Sequence, residues 1–477
     1  MKQRKFRLED EITFASLSGD YNPIHVDPIM ARRFMFGQPI VHGLHVVLWA
    51  LDVWYKEKNQ SSKLISLKVS FPKPVFLEKF VNYKITNQDL NHFEIEITQE
   101  KVVCARIKLE LEWTQVDNVT NAISTFIIDE NPVKRWPDNP SIENIKGMAG
   151  NLDLYLNRAI FSELFPSVYL GIDNYILASL LSITRLVGMD CPGLNSLISN
   201  LELSFNNSPV CEHQLGYHVT TVDKRFGLVI IKLDGKILQG IIKTFLRPAP
   251  VPQMDFISIK QLIKPGEFKD QKALIIGGSR GIGEVTAKIL AAGGADVRIT
   301  YNKGELEAKN VVDEIRLNNG KAAMIKLNVI NEESYFSILS GNWTPTHCYY
   351  FATPFIFSGN KGVFSHALLD QFNAVYITAF YNLVVFLKNN GVLNYFYPST
   401  TAIDELPENM VEYTISKYAA EKARDFLIGI YSPINIEMPK FPRIATDQTV
   451  SFLPVNNQDP FEITLSYLRS FNASTIN

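Results

Sequence analysis

The sequence contains little cysteine and no surplus of either charge. Cysteine occupies only 4 of 477 positions (104, 191, 211 and 348), too few for a disulfide scaffold. Lysine and arginine number 47 against 49 aspartate and glutamate residues, which gives a net charge of −2. This balance argues against a nucleic-acid-binding protein and against a basic membrane-binding patch. A cytoplasmic, reducing location is therefore expected.

Long apolar runs are also absent. No stretch of about 18 uncharged apolar residues occurs, so no membrane span is expected. Residues 1–15 contain no apolar signal-peptide segment, and residues 475–477 do not form a peroxisomal address. Hydrophobic residues nevertheless make up 46% of the chain, enough for a large core. The length fits roughly three domains.

Two proline-rich segments divide the chain. Residues 131–145 contain three prolines and residues 247–270 contain four. Proline clusters between regularly patterned segments mark domain boundaries. The sequence therefore predicts domains at 1–130, 145–250 and 268–477.

The first two domains share a sequence pattern. Residues 67–71 (LKVSF) align with 201–205 (LELSF) at an offset of 134 positions. Each copy also has an apolar helix and a two-stranded hairpin, at 44–56 and 93–111 in the first copy and at 173–187 and 226–246 in the second. One helix followed by antiparallel strands describes an α+β unit. Two copies side by side predict a pseudo-dimer within one chain.

A carboxylate and an imidazole stand close together near the N-terminus. Asp20 and His25 flank Asn22-Pro23, and Pro23 forces the segment to bend. Such a pair suits proton transfer, although a helix-capping loop with a structural histidine fits the spacing equally well. Gly43 precedes an apolar helix, where its amide can donate to a developing oxyanion.

The surrounding motifs carry a family resemblance. SGDYNPIHVD (18–27), IVHG (40–43) and FPKPV (71–75) resemble the MaoC-like (R)-specific enoyl thioester hydratases, which have the hot-dog fold, over residues 5–112. The resemblance implies that Asp20 and His25 are the catalytic dyad. It implies that Asn22 orients the loop and that the Gly43 amide faces an enolate-like oxygen. The reaction adds water to, or removes it from, a 2,3-double bond beside a thioester carbonyl.

The second copy lacks this dyad. GMDCPGLNS (188–196) keeps a glycine but has no aspartate–histidine motif. Residues 145–250 are therefore expected to form a degenerate hot-dog half that completes the sheet and shapes an acyl tunnel. This resembles the double-hot-dog arrangement of eukaryotic hydratases, except that their active motif lies in the second half. Cys191 and His213 are expected to be structural.

The third domain alternates strands and helices. The sequence predicts strands at 272–278, 295–301, 322–329, 347–354 and 391–398, with helices at 284–294 and 304–319. This rhythm predicts a doubly wound parallel sheet of the Rossmann type. GGSRGIG (277–283) joins the first strand to the first helix, where glycines let the backbone approach a pyrophosphate.

Tyr413 and Lys417 lie four positions apart and would share one helix face. A nearby ammonium lowers a phenol's pKa, so Tyr413 could protonate a carbonyl, although the pair alone would be an ordinary surface pair. Ser399 or Thr400 could steady the carbonyl oxygen, and Asn373 could hold a relay water.

These residues and the glycine turn resemble the short-chain dehydrogenase/reductases over 270–446, and residues 295–315 resemble β-ketoacyl thioester reductases. The resemblance implies catalytic roles for Asn373, Ser399, Tyr413 and Lys417. It also implies a set of cofactor contacts: Gly277, Ser279, Arg280, Gly281, Ile282, Gly283, Asn302, Asn328, Ala352, Lys417 and Thr446.

The cofactor follows from charge. The second strand ends at Asn302 without the acid that usually binds a ribose in NAD sites, and Arg280 adds a cation for a 2′-phosphate. NADPH is therefore expected. The domain departs from its family at Ile276, Asn328, 351–353 and 442–443, and its tail shows no obvious last strand or substrate lid.

Together the motifs predict a bifunctional enzyme. It would reduce a 3-oxoacyl thioester with NADPH and dehydrate the (R)-3-hydroxyacyl product to a trans-2-enoyl thioester, as in fatty-acid or polyketide synthesis. The acyl group would arrive on a separate acyl carrier protein or on CoA, because no carrier serine motif is visible. No metal is expected, and a homo-oligomer would form through the reductase domain. The alternatives are the reverse reactions and a partly inactive acyl-binding scaffold.

Overall fold

The structure, a computed structural model, describes residues 2–58, 62–113, 127–206, 214–452 and 455–475. The chain forms two compact units. One comprises Met1–Ala249 with Ser451–Leu453, and the other comprises Pro250–Val450 with Pro454–Asn477. No helix in the described ranges is both long and apolar enough to cross a membrane.

Among its described residues, the first unit contains one ten-stranded antiparallel sheet and eight α-helices. Its strands are β1 (Lys2–Lys5), β2 (Ser62–Ser70), β3 (Phe80–Gln88), β4 (His92–Gln99), β5 (Val102–Trp113), β6 (Ala149–Asp153), β7 (Ser196–Phe205), β8 (Gln214–Asp223), β9 (Leu228–Asp234) and β10 (Leu238–Leu246). Its helices are α1 (Leu8–Ser18), α2 (Pro23–Val26), α3 (Pro28–Ala31), α4 (Gly43–Lys58), α5 (Ile142–Ile145), α6 (Arg158–Leu164), α7 (Pro166–Gly171) and α8 (Asn174–Arg185).

The strand order shows the duplication directly. The order β1-β3-β4-β5-β2-β7-β10-β9-β8-β6 places equivalent strands at equal distances from the centre. At the centre, β2 and β7 pair antiparallel with Lys68 opposite Glu202, two residues that are 134 positions apart. Because equivalent residues face each other there, a local two-fold axis passes through this pair. The predicted pseudo-dimer is confirmed.

Each half buries its long helix against the sheet. Every residue from Leu44 to Leu51 in α4 is buried, and so is almost all of α8. Both helices share one hydrophobic core with inward-facing strand residues such as Val81 and Ile231. The predicted hairpins are also present, and the β4–β5 turn has positive φ at Glu100 and Lys101 (50° and 68°), as a tight two-residue turn requires.

The second unit contains the parallel sheet. Its strands are β11 (Lys272–Ile276), β12 (Asp296–Tyr301), β13 (Lys321–Lys326), β14 (His347–Tyr350), β15 (Asn394–Phe396) and β17 (Asn435–Glu437), and β16 (Ser399–Thr400) pairs separately with β18 (Lys440–Phe441). Its helices are α9 (Phe256–Leu262), α10 (Gly281–Ala292), α11 (Glu305–Leu317), α12 (His366–Asn373), α13 (Phe380–Asn389), α14 (Ala402–Glu405), α15 (Val411–Ile430) and α16 (Pro460–Ser474).

The strands lie in the order β13-β12-β11-β14-β15-β17. From β11 the chain first adds strands on one side of the sheet, and from β14 it adds them on the other side. Such a switch point is where doubly wound sheets bind ligands, at the carboxyl ends of the strands. The predicted Rossmann-type sheet is confirmed, although β14 and β15 are shorter than the predicted strands. Gly391, with a φ of 87°, and Pro398 flank β15 and limit its length.

The second unit begins earlier than residue 268. Helix α9 lies within the proline-rich segment 247–270, and its Phe256 and Ile259 are fully buried. In the tail, α16 buries Phe461 and Phe471 in the same core. This burial explains why residues 250–267 belong to the compact unit.

Candidate active sites

The aspartate–histidine motif folds into two short helical turns. Gly19 ends α1 with a φ of 80° and turns the chain towards Asp20. Asn22 caps α2 by accepting a hydrogen bond from the amide of Ile24, and Pro23 occupies the first turn. These local signals bring carboxylate and imidazole atoms of Asp20, His25 and His42 within 4.8 Å of one another.

Residues of the second half hold Asp20 in place. Thr184 Oγ1 donates a 2.7 Å hydrogen bond to Asp20 Oδ2. A Cβ atom added to Gly188 would lie only 2.1 Å from Asp20 Oδ1, so only glycine fits beside the carboxylate. Burial raises the pKa of Asp20, although the Thr184 hydrogen bond and nearby His42 oppose the rise. The half that lacks the dyad therefore forms one wall of the site.

Asn22 ties the loop to the same wall. Its Nδ2 donates to the carbonyl oxygens of Gly188, Gly193 and Leu194 at 2.9, 3.3 and 3.2 Å. Cys191 is buried in this segment, and burial raises its thiol pKa to about 12. His213 lies outside the described residues.

His25 is poised as a neutral base. Its Nδ1 lies 2.8 Å from the Ile40 carbonyl oxygen, which can only accept, so Nδ1 carries the proton and Nε2 keeps its lone pair. Burial, together with the charge of His42, lowers the pKa of His25 well below its usual value. The rings of His25 and His42 stack with centroids 3.8 Å apart and an interplanar angle of 25°.

Sequence reasoning missed a buried network beneath the dyad. Glu11 Oε2 contacts His42 Nδ1 at 2.7 Å, and Glu11 Oε1 contacts His45 Nδ1 at 2.7 Å. His42 lies in the quoted IVHG motif, but nothing in that motif points to Glu11. Asp20, His25 and His42, whose ligand atoms lie within 4.8 Å of one another, do not fit a metal ion. The stacked rings of the two histidines cannot both point a nitrogen at one ion, and both His42 nitrogens already face oxygen acceptors.

Gly43 begins α4, where first-turn amides have no partner within the helix. A Cβ atom there would lie 3.1 Å from the Phe71 ring. This packing explains the glycine and leaves its amide at the helix N-terminus beside His42.

The glycine-rich turn of the second unit matches a phosphate-binding geometry. Gly277 and Gly281 have positive φ values of 79° and 56°. A Cβ atom on Gly283 would lie 2.3 Å from the Gly277 carbonyl oxygen, so this turn excludes side chains. It presents the N-terminus of α10 at the end of β11, beside Ala352, which fits a pyrophosphate group.

The other expected cofactor contacts surround this turn. Ser279 is buried and Ile282 packs against the core, while Thr446 lies beside Gly281. Asn302 and Asn328 are exposed just beyond the ends of β12 and β13. An acid that the sequence analysis did not foresee stands near the expected cation, because Arg280 Nη1 lies 4.0 Å from Asp447 Oδ2.

The expected hydroxyl and asparagine connect to α15. Ser416 Oγ donates a 2.7 Å hydrogen bond to Asn373 Oδ1, where α12 ends in a π-helical turn. Ser399 donates to Glu421, whereas the Thr400 hydroxyl opposes the rise in the pKa of the Tyr413 phenol. Of the two adjacent hydroxyls, only that of Ser399 is engaged by a described carboxylate.

Lys417 is packed away from water. Its Nζ donates to the Pro398 carbonyl at 2.8 Å and lies 4.3 Å from the ring centroids of both Tyr376 and Tyr397. Burial lowers the Lys417 pKa to about 7 and raises the Tyr413 pKa to about 12. The expected lowering of the phenol pKa by the ammonium is therefore wrong for this arrangement, because the cost of burying a charge outweighs it.

Comparison with known proteins finds a matching family for each of the two units. Residues 1–109 match the MaoC like domain family, and residues 271–341 match the short chain dehydrogenase family. An (R)-specific enoyl-CoA hydratase from Aeromonas caviae is 33% identical over 75 residues, which is 16% of this chain and 56% of that protein. A 3-oxoacyl-[acyl-carrier-protein] reductase from Synechocystis is 44% identical over 63 residues, 13% of this chain and 26% of that protein.

The chain thus spans less than two thirds of either curated relative. Among solved structures, a short chain dehydrogenase from Burkholderia cenocepacia in complex with NADP is 20% identical, with a TM-score of 0.39, covering 43% of this chain and 91% of that one. The family matches agree with the two folds described above. The chain therefore carries a MaoC-like hot-dog domain at its N-terminal end, followed by a short-chain dehydrogenase domain with a Rossmann-like fold.

Proposed function

We propose that this chain is a bifunctional acyl-thioester enzyme. Its second unit reduces a 3-oxoacyl thioester to the (R)-3-hydroxyacyl thioester with NADPH, and its first unit dehydrates that product to the trans-2-enoyl thioester. The observation that carries the proposal is the convergence of Asp20 and His25, with a neutral, partly exposed imidazole beside a buried carboxyl. The hydratase and reductase relatives support the pairing of activities.

Dehydration needs one base and one acid. His25 Nε2 accepts the C2 proton, and the C–H electron pair forms the double bond as the C3–O bond breaks. Asp20, whose pKa is raised by burial, gives its proton to the departing hydroxyl, which leaves as water. The Gly43 amide donates to the thioester oxygen, where negative charge develops.

Reduction uses the residues at the end of the parallel sheet. NADPH, when bound on the glycine turn, supplies the hydride that reduces the carbonyl carbon. Tyr413 gives its proton to the carbonyl oxygen, and the hydroxyl of Ser399 or Thr400 steadies that oxygen. The hydrogen bonds from Ser416 to Asn373 and from Lys417 to the Pro398 carbonyl hold helix α15, which carries Tyr413, in place.

Charge near the ribose favours NADPH over NADH. Asn302 and Lys303 follow β12 where an acid would bind the ribose of NAD, and Arg280 lies in the glycine turn. Asp447 faces Arg280 and would have to give way to a 2′-phosphate. The acyl group arrives on an acyl carrier protein or on CoA, in fatty-acid-like or polyketide-like synthesis.

Self-association is proposed through the second unit, and the enzyme is proposed to work in the cytoplasm. Helix α15 exposes Val411, Ile415 and Tyr418 on one face, with 40%, 46% and 56% of their surfaces accessible. A second copy of α15 would cover this stripe. Analytical ultracentrifugation tests this, because Ile415→Glu is expected to yield monomers.

Cofactor turnover tests the direction. With acetoacetyl-CoA, NADPH oxidation should be faster than NADH oxidation, and with (R)-3-hydroxybutyryl-CoA, NAD⁺ reduction should be slow. Preferred NAD⁺ reduction would instead support the reverse sequence of hydration and oxidation. If neither nicotinamide oxidation nor crotonyl-CoA hydration occurs, the enzyme proposal fails and the acyl-binding scaffold becomes the alternative to test.

A further inference from the structure

A carboxylate and two imidazoles are fully buried directly behind the proposed dyad. Glu11 Oε2 accepts hydrogen bonds from the His42 backbone amide at 2.8 Å and from His42 Nδ1 at 2.7 Å. Glu11 Oε1 accepts from His45 Nδ1 at 2.7 Å. Glu11, His42 and His45 are all inaccessible to solvent. Three donors converge on this carboxylate, which is the arrangement an ionised glutamate needs.

The two nitrogens of His42 both face acceptors. Nδ1 faces the Glu11 carboxylate, and Nε2 lies 2.9 Å from the backbone carbonyl oxygen of Asp20, which can only accept. A neutral imidazole has a single N–H and would leave one nitrogen lone pair against an oxygen. Only the imidazolium form satisfies both contacts.

His45 provides an internal contrast. It also donates through Nδ1 to Glu11, but its Nε2 is buried without a hydrogen-bond partner among the described residues. One N–H is therefore sufficient for His45, and burial lowers its pKa. Although burial acts on His42 in the same direction, its hydrogen bond to the Glu11 carboxylate raises its pKa. The same carboxylate thus holds one charged and one neutral histidine.

We propose that His42 is a permanent imidazolium fixed by Glu11, and that this buried cation keeps His25 neutral so that Nε2 can act as the base. The second part rests on the proposed dehydratase function. The His25 and His42 rings stack with centroids 3.8 Å apart, a separation at which two positive charges repel strongly. His42 is therefore a positioning residue that sets the protonation state of its neighbour.

Other charged groups also face the pair. Facing groups come from five parts of the first unit: Arg4 on β1, Glu11 on α1, Asp20 on the loop, Asp190 beyond α8 and Arg247 after β10. Glu11 favours a charge on His42 and, from further away, on His25. Asp20 favours a charge on His42 when its carboxyl is ionised, and Arg247 disfavours a charge on His25. Arg4 and Asp190 do not act on the pair directly: the charge of Arg4 lowers the pKa of His45, and Asp190 interacts with Asp20.

Nitrogen NMR of the full-length chain labelled with ¹⁵N-histidine tests the first part without any turnover. Loss of one signal in His42→Gln and in His25→Gln assigns the two residues, and His92→Gln removes an exposed reference histidine. At pH 7, His42 should show two protonated nitrogens, and His25 should show a proton on Nδ1 alone. A single protonated nitrogen on His42 at pH 7 would overturn the proposal.

The rate of (R)-3-hydroxybutyryl-CoA dehydration against pH tests the second part. Glu11→Gln keeps the side-chain size but removes the charge, so His42 should become neutral. His25 should then protonate more readily, because the lost charge of the adjacent His42 acts on it more strongly than the lost charge of Glu11. The acid limb of kcat/KM should move upward by about one pH unit. Glu11→Asp keeps the charge, so its acid limb should lie close to that of the wild type. Glu57→Gln, on the exposed end of α4, serves as the matched control.

The two readouts separate the possible failures. If His42 is neutral in Glu11→Gln and the acid limb does not move, the link to His25 is wrong. If the wild-type chain dehydrates nothing, the proposed function fails while the NMR result still decides the charge of His42. If Glu11→Gln does not fold, the wild-type spectrum alone decides the first part.

Discussion

Thr184 offers the sharpest perturbation, because it comes from the half without the catalytic motif. Its hydroxyl donates a 2.7 Å hydrogen bond to Asp20 Oδ2 in a fully buried site, and this bond favours the ionised carboxylate. A buried hydrogen bond to a charged group contributes about 1.5–3 kcal/mol. Thr184→Val removes the bond and keeps the branched shape, so the pKa of Asp20 should rise by a further one to two units or so.

The assay is the dependence of kcat/KM on pH for dehydration of (R)-3-hydroxybutyryl-CoA. Because Asp20 acts as the acid, loss of its proton sets the basic limb of the profile. This limb should move upward in Thr184→Val by about one to two pH units and return in Thr184→Ser. Thr244→Val is the matched control, since Thr244 is buried in the same unit and its hydroxyl has no partner among the described residues.

Two results would refute this reasoning. An unmoved basic limb in a folded Thr184→Val protein would mean that the hydrogen bond does not control Asp20. An equal shift in Thr244→Val would mean that any lost hydroxyl perturbs the unit. The acid limb should stay in place in both variants, because His25 is not bonded to either threonine.

Three further predictions concern other residues. Gly188→Ala places a Cβ atom 2.1 Å from Asp20 Oδ1, so the carboxylate must shift by about 1 Å and the dehydration rate should fall about 100-fold. Gly429→Ala adds a Cβ atom in open space and should leave the dehydration rate unchanged. The pKa of Lys417 is about 7 in the folded chain and 10.5 ordinarily, so between these pH values only the unfolded chain binds the proton. The free energy of unfolding in urea should therefore rise with pH across this window, and Lys417→Met should abolish that rise. Arg280→Leu should weaken NADPH binding by about tenfold relative to NADH in a fluorescence titration, and an unchanged ratio would remove Arg280 from the cofactor proposal.

The sequence was sufficient for features that depend on local signals. The Asp20 loop could be predicted because Gly19, Asn22 and Pro23 determine the backbone around it. The parallel sheet could be predicted because buried strands alternate with amphipathic helices. The duplication could be predicted because equivalent strands keep their spacing, and the Lys68–Glu202 pair then lies at the local two-fold axis.

Contacts across the duplicated halves could not be predicted in this way. Thr184 is 164 positions from Asp20, and it meets the carboxylate only because the two halves pair through β2 and β7. Glu11 reaches His42 and His45 because α1 packs beside α4, which no motif encodes.

Two site assignments depended on information that spacing along the sequence does not carry. Spacing alone predicted that Lys417 would lower the pKa of Tyr413, but both groups are buried and desolvation dominates. Ser399 and Thr400 are adjacent on a short strand, where successive side chains point to opposite faces, so the sequence could not choose between them.

The most direct test of the central proposal follows both reactions in one tube, with the full-length chain, acetoacetyl-CoA and NADPH. The wild type should consume NADPH and form crotonyl-CoA. Asp20→Asn should consume NADPH but stop at (R)-3-hydroxybutyryl-CoA, and Tyr413→Phe should spare NADPH yet still dehydrate added (R)-3-hydroxybutyryl-CoA. Formation of crotonyl-CoA by Asp20→Asn at the wild-type rate, or no NADPH consumption by the wild type, would contradict the account.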